Sequence, residues 1–111
     1  MVKKTRRSDG YREPLLLIGS ESFGYPINIY IVDENGARVN LSTVSSVKMK
    51  IYKNDAEVKD VVLNVVDAVN GLVTYTPQVS DFAGAGSYRC RIRLIKTDSV
   101  EEVEEFRLEV W

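Results

Sequence analysis

The sequence predicts an all-β sandwich of about seven or eight antiparallel strands. Apolar and polar residues alternate repeatedly along the chain, most regularly over residues 88–96, as expected for strands that bury one face. Turn signals rich in glycine, asparagine and aspartate separate these stretches at intervals of roughly 8–12 residues, a spacing typical of sandwiches and barrels. We find no helical periodicity, and residues 79–83 suffice for a single turn only.

The first elements follow from composition and turn chemistry. Residues 1–12 are polar and basic and lack periodicity, which predicts a flexible basic N-terminal arm ahead of a sandwich domain at residues 13–111. The apolar run at residues 15–18 predicts the first strand. Residues 24–32 alternate around three isoleucines and predict the second. The following Asn35-Gly36 pair supplies the positive φ of a type I′ hairpin turn.

The later strands are predicted where alternation resumes after a turn signal. Asn54-Asp55 and Asn70-Gly71 mark two further turns, and Pro77 ends a strand because proline cannot donate to a ladder. These strands are predicted at residues 37–41, 47–53, 58–66, 72–76, 88–96 and 100–111. The side chains expected in the core are Met49, Ile51, Tyr88, Cys90, Ile92, Leu94, Phe106 and Leu108.

Length and composition indicate one ordinary soluble domain. The chain has 111 residues, of which 44% are apolar and 28% charged, which suffices for a core without metals or disulfides. No apolar run approaches the ~18 residues of a membrane span, and we find no signal peptide. The single cysteine, Cys90, cannot form an intrachain disulfide. It is predicted to be a small buried hydrophobe, which fits a reducing cytosol.

No active site is readable in the sequence. The chain contains no histidine, which excludes a Ser-His-Asp system, a histidine-containing metal site and a histidine activator for Cys90. The glycine-rich residues 84–86 lack the lysine and the following helix of a phosphate-binding loop. We therefore expect a non-enzymatic protein with no cofactor and no metal.

A glycine-rich stretch at residues 81–87 leads into Tyr88-x-Cys90 on the most regular strand. Immunoglobulin domains begin their penultimate strand in this way, and the tyrosine anchors the corner by a hydrogen bond to the backbone. The resemblance implies an immunoglobulin-like β-sandwich. The chain departs from antibody domains because it lacks a second cysteine and a tryptophan on the third strand.

Several segments together resemble a further family, the N-terminal domains of phage baseplate upper proteins. They are residues 25–29, 33–37, 47–53, 70–75, 83–92 and 106–110. The resemblance implies a virion structural role, in which small sandwich domains dock a fibre or receptor-binding protein onto a larger particle. Because the long C-terminal extension of the full baseplate protein is absent, we expect a stand-alone tail, neck or head component that is assembled in the host cytoplasm.

Five cations on two strands are the sharpest predicted surface feature: Lys48, Lys50, Arg89, Arg91 and Arg93. In an immunoglobulin-like sandwich these strands are neighbours, so the five cations share one solvent-facing surface. Like charges opposite one another destabilise a sheet. Either Glu105 and Glu109 on the last strand offset them, or an acidic partner surface docks there. Nucleic acid is disfavoured as a partner because Tyr52 is the one aromatic residue interleaved with these cations.

The chain extremities supply further candidate contacts. The cations of the arm are Lys3, Lys4, Arg6 and Arg7. They allow three interpretations: a solvated tail, a segment that orders against a neighbouring subunit, or a nucleic-acid contact. Tyr11 and Trp111 fit an intersubunit contact, since aromatic residues are enriched at interface hot spots. Residues 101–105 are strongly acidic and are interpreted as a solvated hairpin limb, with a basic partner or calcium as the less favoured alternatives.

The leading hypothesis is a structural component of a phage particle, in the tail, baseplate, neck or head, that docks other virion proteins in a symmetric ring or shell. A carbohydrate- or surface-binding module is the first alternative, and it requires an exposed cluster of aromatic rings. The rings available for it are Tyr25, Tyr30, Tyr52 and Tyr75. A monomeric cytosolic adaptor or inhibitor domain is the second alternative.

Overall fold

The computed structural model describes residues 2–3, 15–19, 21–33, 35–103 and 105–111. Regular structure within these ranges is almost entirely β-strand. The strands are β1 Val2–Lys3, β2 Leu15–Ile18, β3 Ile27–Val32, β4 Ser46–Lys53, β5 Ala56–Asp67, β6 Leu72–Tyr75, β7 Gly86–Ile95, β8 Val100–Glu102 and β9 Phe106–Val110. A short 3₁₀ turn at Val79–Asp81 lies where the sequence allowed a single turn. The prediction of an all-β sandwich is confirmed.

The strands form two layers that share β5. In the first layer β3 pairs with β6, and β6 pairs with the end of β5 from Asn64 onwards. In the second layer the beginning of β5, as far as Leu63, pairs with β4. Strand β4 pairs with β7, and β7 pairs with both β9 and β8. Strand β5 therefore crosses from one layer to the other, and the hydrogen-bonded path is continuous through it.

The core lies between the layers and is filled by alternate side chains. Strand β7 shows this most clearly, because buried and half-buried residues alternate from Tyr88 to Ile95. All eight predicted core residues are buried, with at most 1% of their surface exposed. Burial of side chains of this size supplies most of the free energy that offsets chain ordering.

The turn chemistry differs from prediction at the first hairpin. The left-handed geometry of a type I′ turn was expected at residues 35–36. The structure has it instead in the two-residue turn between β4 and β5, where Asn54 and Asp55 have φ angles of 52° and 66°. The predicted return strand at residues 37–41 is reduced to one isolated bridge between Val32 and Arg38. The cause lies in Asp33, whose Oδ1 accepts hydrogen bonds from the backbone of Asn35 and Ala37 and so competes with a ladder.

Two edge strands run parallel to their neighbours, although the sequence predicted antiparallel strands throughout. Strand β2 pairs with β9, with Leu16 beside Leu108 and Ile18 beside Val110, and β1 pairs in parallel with the end of β3. Parallel neighbours need long connections, and these strands are far apart in the sequence. Local patterns therefore carried no signal for their direction.

Gly71 lies where three backbone segments meet. Its φ is +65°, and a Cβ atom there would lie 2.6 Å from the carbonyl oxygen of Val39 and 2.7 Å from that of Ile31. The Ile31 amide donates to the Gly71 carbonyl at 2.9 Å, and the Val39 amide donates to the Ile31 carbonyl at 2.9 Å. The position therefore requires glycine both for its backbone angle and for space.

Replacement of Gly71 by alanine should lower the free energy of unfolding by about 3 kcal/mol or more, because strain at positive φ is added to a clash with two carbonyl groups. The matched control is Gly36→Ala, where φ is +83° and no described atom lies within 4 Å of the new Cβ. That variant should lose only about 1 kcal/mol. Urea titration followed by circular dichroism measures both, and equal losses would contradict the steric argument.

Candidate docking surface

The corner before β7 is anchored as the sequence predicted. The Tyr88 hydroxyl donates to the carbonyl oxygen of Gly84 at 2.5 Å, and the Phe82 ring packs edge-on against the Tyr88 ring with centroids 5.1 Å apart. The Lys53 ammonium closes the loop by donating to the carbonyl oxygens of Ala83 and Ala85 at 3.2 and 3.3 Å. These contacts fix the point at which β7 enters the sheet, and with it the placement of the β7 arginines.

The five predicted cations lie on one surface, which we call the outer face: the solvent side of the layer formed by β5, β4, β7 and β9. In the antiparallel pairing of β4 with β7, Lys48 is opposite Arg93, Lys50 is opposite Arg91, and Tyr52 is opposite Arg89. The buried residues between them point into the core. The predicted adjacency of these cations is therefore present in the structure.

Carboxylates flank the cations on both sides of the outer face. On the β5 side, Lys50 lies 3.3 Å from Glu57. On the β9 side, Glu105 lies 3.5 Å from Arg89 and 3.7 Å from Arg91. The predicted offset by Glu105 is therefore present, and the resulting pattern is a central band of positive charge between two negative margins.

Glu109 forms its ion pair with its own strand neighbour, Arg107. It accepts hydrogen bonds from Arg107 at 2.9 Å and from the Ser87 hydroxyl at 2.6 Å. These two hydrogen bonds, first that from Ser87 and then that from Arg107, lower the pKa of the Glu109 carboxyl. The prediction that Glu109 offsets the central cations stays a prediction, since the hydrogen bonds described for Glu109 come from Arg107 and Ser87.

Arg93 differs from the other cations because it is bound into the sheet. Its guanidinium donates to both carboxylate oxygens of Asp60 at 2.7 Å, and only 18% of its side chain is exposed. Arg91 keeps 39% of its side chain exposed. Lys48 makes no ion pair within 4.0 Å among the described residues, and opposite it on β5 lies the exposed Val62. Lys48 and Arg91 are therefore candidate contacts for a partner, as is Arg89, whose side chain is equally exposed.

Trp111 is also exposed, as an intersubunit contact would require, with 66% of its surface accessible. Its indole packs over Gly19, where an added Cβ would come within 3.2 Å of the ring. Together with Phe23, Val79 and Phe82 it lines an apolar groove of about 210 Å³. Val79 in this groove is also exposed, at 70%, and the groove is therefore a candidate contact surface.

The N-terminal arm is described only in part. The backbone of Val2–Lys3 pairs with Ile31 and Val32 of β3. The remaining predicted contact residues of the arm, Lys4, Arg6, Arg7 and Tyr11, lie outside the described residues. The function predicted for the arm therefore stays a prediction.

The four tyrosines considered for a carbohydrate site do not form one exposed cluster. Tyr25 is 69% exposed, whereas Tyr75 is buried. The Tyr30 ring is covered by the Arg38 guanidinium at 3.7 Å, and Arg91 lies 5.3 Å from the centroid of Tyr52. The aromatic platform that a carbohydrate-binding module requires is not assembled from these rings.

A buried polar cluster, which the sequence analysis missed, closes the turn after β6. Asp81 is only 4% exposed, and its Oδ2 accepts hydrogen bonds from the Tyr75 hydroxyl at 2.8 Å and the Gln78 amide at 3.1 Å. Burial, and next the hydrogen bond to Asp81, raise the pKa of Tyr75 well above its usual range. The sequence feature that could have predicted this cluster is an acidic residue at the third position of a short helical turn. Its carboxylate accepts a hydrogen bond from the backbone amide of the capping residue.

Neither a cluster of potential metal ligands nor an accessible thiol occurs among the described residues. No group of three or more potential metal ligands occurs among them, and no helix among them is long and apolar enough to cross a membrane. Cys90 is fully buried, and this burial raises the pKa of its thiol to about 12. What the described surface offers is charge and apolar area for contact with other molecules.

The two layers, the anchored Tyr88 corner and the charged sheet surface define an immunoglobulin-like sandwich domain built to present surfaces. Residues 24–111 match the family described as the BppU N-terminal domain. The chain therefore belongs to the N-terminal domains of phage baseplate upper proteins, the family that its sequence motifs resembled. This membership implies a place in the virion and interaction with other virion proteins.

A solved structure shows the same fold. The N-terminal domain of phage TP901-1 ORF48 is similar over 98% of this chain and 92% of that chain, with a TM-score of 0.72 and 14% sequence identity. At this identity the likeness establishes the fold alone. No match was found among curated proteins.

Replacement of Tyr88 by phenylalanine should lower the free energy of unfolding by about 1–2 kcal/mol, because the Gly84 carbonyl loses its partner while the ring still fills the core. The matched control is Tyr25→Phe on an exposed ring, which should change stability by less than about 0.5 kcal/mol. Urea titration measures both, and a Tyr88→Phe variant as stable as the control would show that the bond does not anchor the corner.

The Cys90 thiol should not react with a thiol reagent in the folded protein at pH 8, because it is both inaccessible and protonated far below its pKa. In denaturant the group should react at once, with a stoichiometry of one per chain. Absorbance after addition of Ellman's reagent measures this directly. Rapid reaction of the native protein would refute the assignment of Cys90 to the core.

Proposed function

We propose that this domain is a non-enzymatic structural component of the baseplate that docks onto an acidic surface of another virion protein through its outer face. The observation that carries the proposal is the central band of cations, in which Lys48 has no described ionic partner and Arg91 shares one carboxylate with Arg89. Arginine has five N–H donors, so Arg91 retains donors that a carboxylate of the partner can use.

The charge pattern favours a partner that differs from this chain. Two copies related by a two-fold axis along the β4–β7 seam would bring cation against cation, and like charges across an interface are costly. A protein with carboxylates at the centre of its contact area and cations at its margins fits the outer face instead.

Contacts between copies of this chain, in a ring or shell, are better served by other surfaces. The groove at Trp111 offers exposed apolar area, and the basic arm offers a segment able to order against a neighbour. We propose that these two regions carry any homo-oligomeric contact. Assembly in the host cytoplasm fits a chain whose one cysteine is a buried free thiol.

The double charge reversal Lys48→Glu/Arg91→Glu tests the docking surface. The variant should fold, because the packed Arg93–Asp60 pair is untouched, but its incorporation into tail particles should fall at least tenfold. Quantitative mass spectrometry of purified particles from cells that express each variant measures this loss. Docking of the unaltered protein should also weaken as ionic strength rises.

The matched control is Arg38→Glu/Lys59→Glu, which makes the same change of net charge. Arg38 lies beside the first layer at its bridge to Val32, and Lys59 pairs opposite the inward-facing Ile51, so neither residue lies on the outer face. This control should be incorporated normally. Equal incorporation of the two double variants would remove the outer face from the proposal.

A further inference from the structure

A pocket of about 250 Å³ opens beside β5 at the point where this strand separates from β6. The last backbone pair between the two strands on this side is Asn64 with Thr74. On the N-terminal side of Asn64, β5 runs along β4. The segment that follows β6 turns away from β5 through Thr76 and Gln78. The change of layer by β5 thus leaves a gap, and the carboxylate of Asp81 lines it.

The Asp81 carboxylate is buried without a cation. Both of its hydrogen bonds, from Tyr75 and from the Gln78 amide, reach the same oxygen, Oδ2. Its Oδ1 accepts no hydrogen bond from a described residue and is not sealed from solvent. No lysine or arginine of the described chain lies within ion-pair distance. The carboxylate thus lines the pocket with neutral donors on one oxygen only, so its other oxygen is available to a cationic group that enters the pocket.

The walls of the pocket suit a long side chain that ends in a positive charge. Thr74, Thr76 and Asn64 supply neutral polar groups, while Val61 and Val62 form an apolar side. Lysine and arginine pack their methylene stems on apolar surface and carry the charge at the tip. A divalent cation is a poorer fit, because it needs several oxygen ligands and no metal-binding group of three occurs among the described residues.

We propose that this pocket receives a lysine or arginine side chain from the virion protein that docks on the outer face, and that the side chain pairs with Asp81. Charge complementarity favours this occupant, because a cationic side chain matches the carboxylate that lines the pocket. The pocket adjoins the β5 margin of the outer face, where Glu57 and Asp60 lie. Cations at the edge of the partner would therefore lie beside both this negative margin and the pocket. The identity of the partner rests on the proposed function, whereas the affinity of the pocket for a cationic side chain does not.

The test uses N-acetyl-lysine methylamide and N-acetyl-arginine methylamide as probes, added at millimolar concentration to the isotope-labelled protein. Amide resonances of Asn64, Thr76 and Gln78 should shift with saturation. The uncharged probes N-acetyl-norleucine methylamide and N-acetyl-citrulline methylamide should shift them at least fivefold less. Because no partner protein is present, a positive result stands even if docking on the outer face fails.

Two variants make the result specific to the pocket. Asp81→Asn retains an oxygen that accepts from Tyr75 and Gln78 but removes the charge, so it should fold normally and lose the saturable shifts. Thr76→Lys places an ammonium group at the rim and should also prevent probe binding. The exposed Asp98→Asn should bind the probes as the unaltered protein does.

Three outcomes would overturn the proposal. The first is the absence of saturable shifts in the unaltered protein, and the second is equal binding by the folded Asp81→Asn variant. The third is saturation by calcium chloride with no response to the lysine and arginine probes, which would make the pocket a metal site. If the probes bind as expected and Lys48→Glu/Arg91→Glu particles assemble normally, the pocket stands and the outer-face proposal fails.

Discussion

The exchange of partners by β5 is the constraint on which the rest of this structure depends. The first part of the strand is tied to β4 and the last part to β6, so a single strand sets the spacing and the register of both layers. It also places Glu57 and Asp60 at one margin of the outer face. Where it leaves β6, it opens the pocket that Asp81 lines. A bulge at Val65–Asp67 and another opposite Ile51 supply the twist that this course requires.

Features encoded by neighbouring residues could be predicted from the sequence. The alternation in β7 identified the core side chains, and the spacing of Tyr88 and Cys90 identified the anchored corner. The shared surface of the cations followed once β4 and β7 were taken as neighbours. Each of these inferences rests on the alternation of side chains along a strand or on a short motif. Both involve only residues that are close together in the sequence.

Features that depend on contacts between distant segments could not be predicted in the same way. Arg93 pairs with Asp60, 33 residues away in the sequence, and neither residue marks the other. The turn pattern at Asp81 indicates its hydrogen bond to the Gln78 amide, but it does not indicate the second bond, from Tyr75 on β6. The turn at residues 35–36 deviated because Asp33 offers hydrogen bonds that compete with strand pairing. Sequence patterns thus predict which face of a strand a side chain lies on. They do not predict which carboxylate forms an ion pair with which cation.

The position of Cys90 at the centre of β7 has a consequence for the particle outside the cell. In an oxidising environment accessible thiols couple to one another, whereas a buried thiol is protected. This chain carries one sulfhydryl group, and the core encloses it completely. While the domain stays folded, oxidation therefore cannot cross-link it to a neighbouring protein through Cys90, and any contact that it makes in the virion stays non-covalent at this residue.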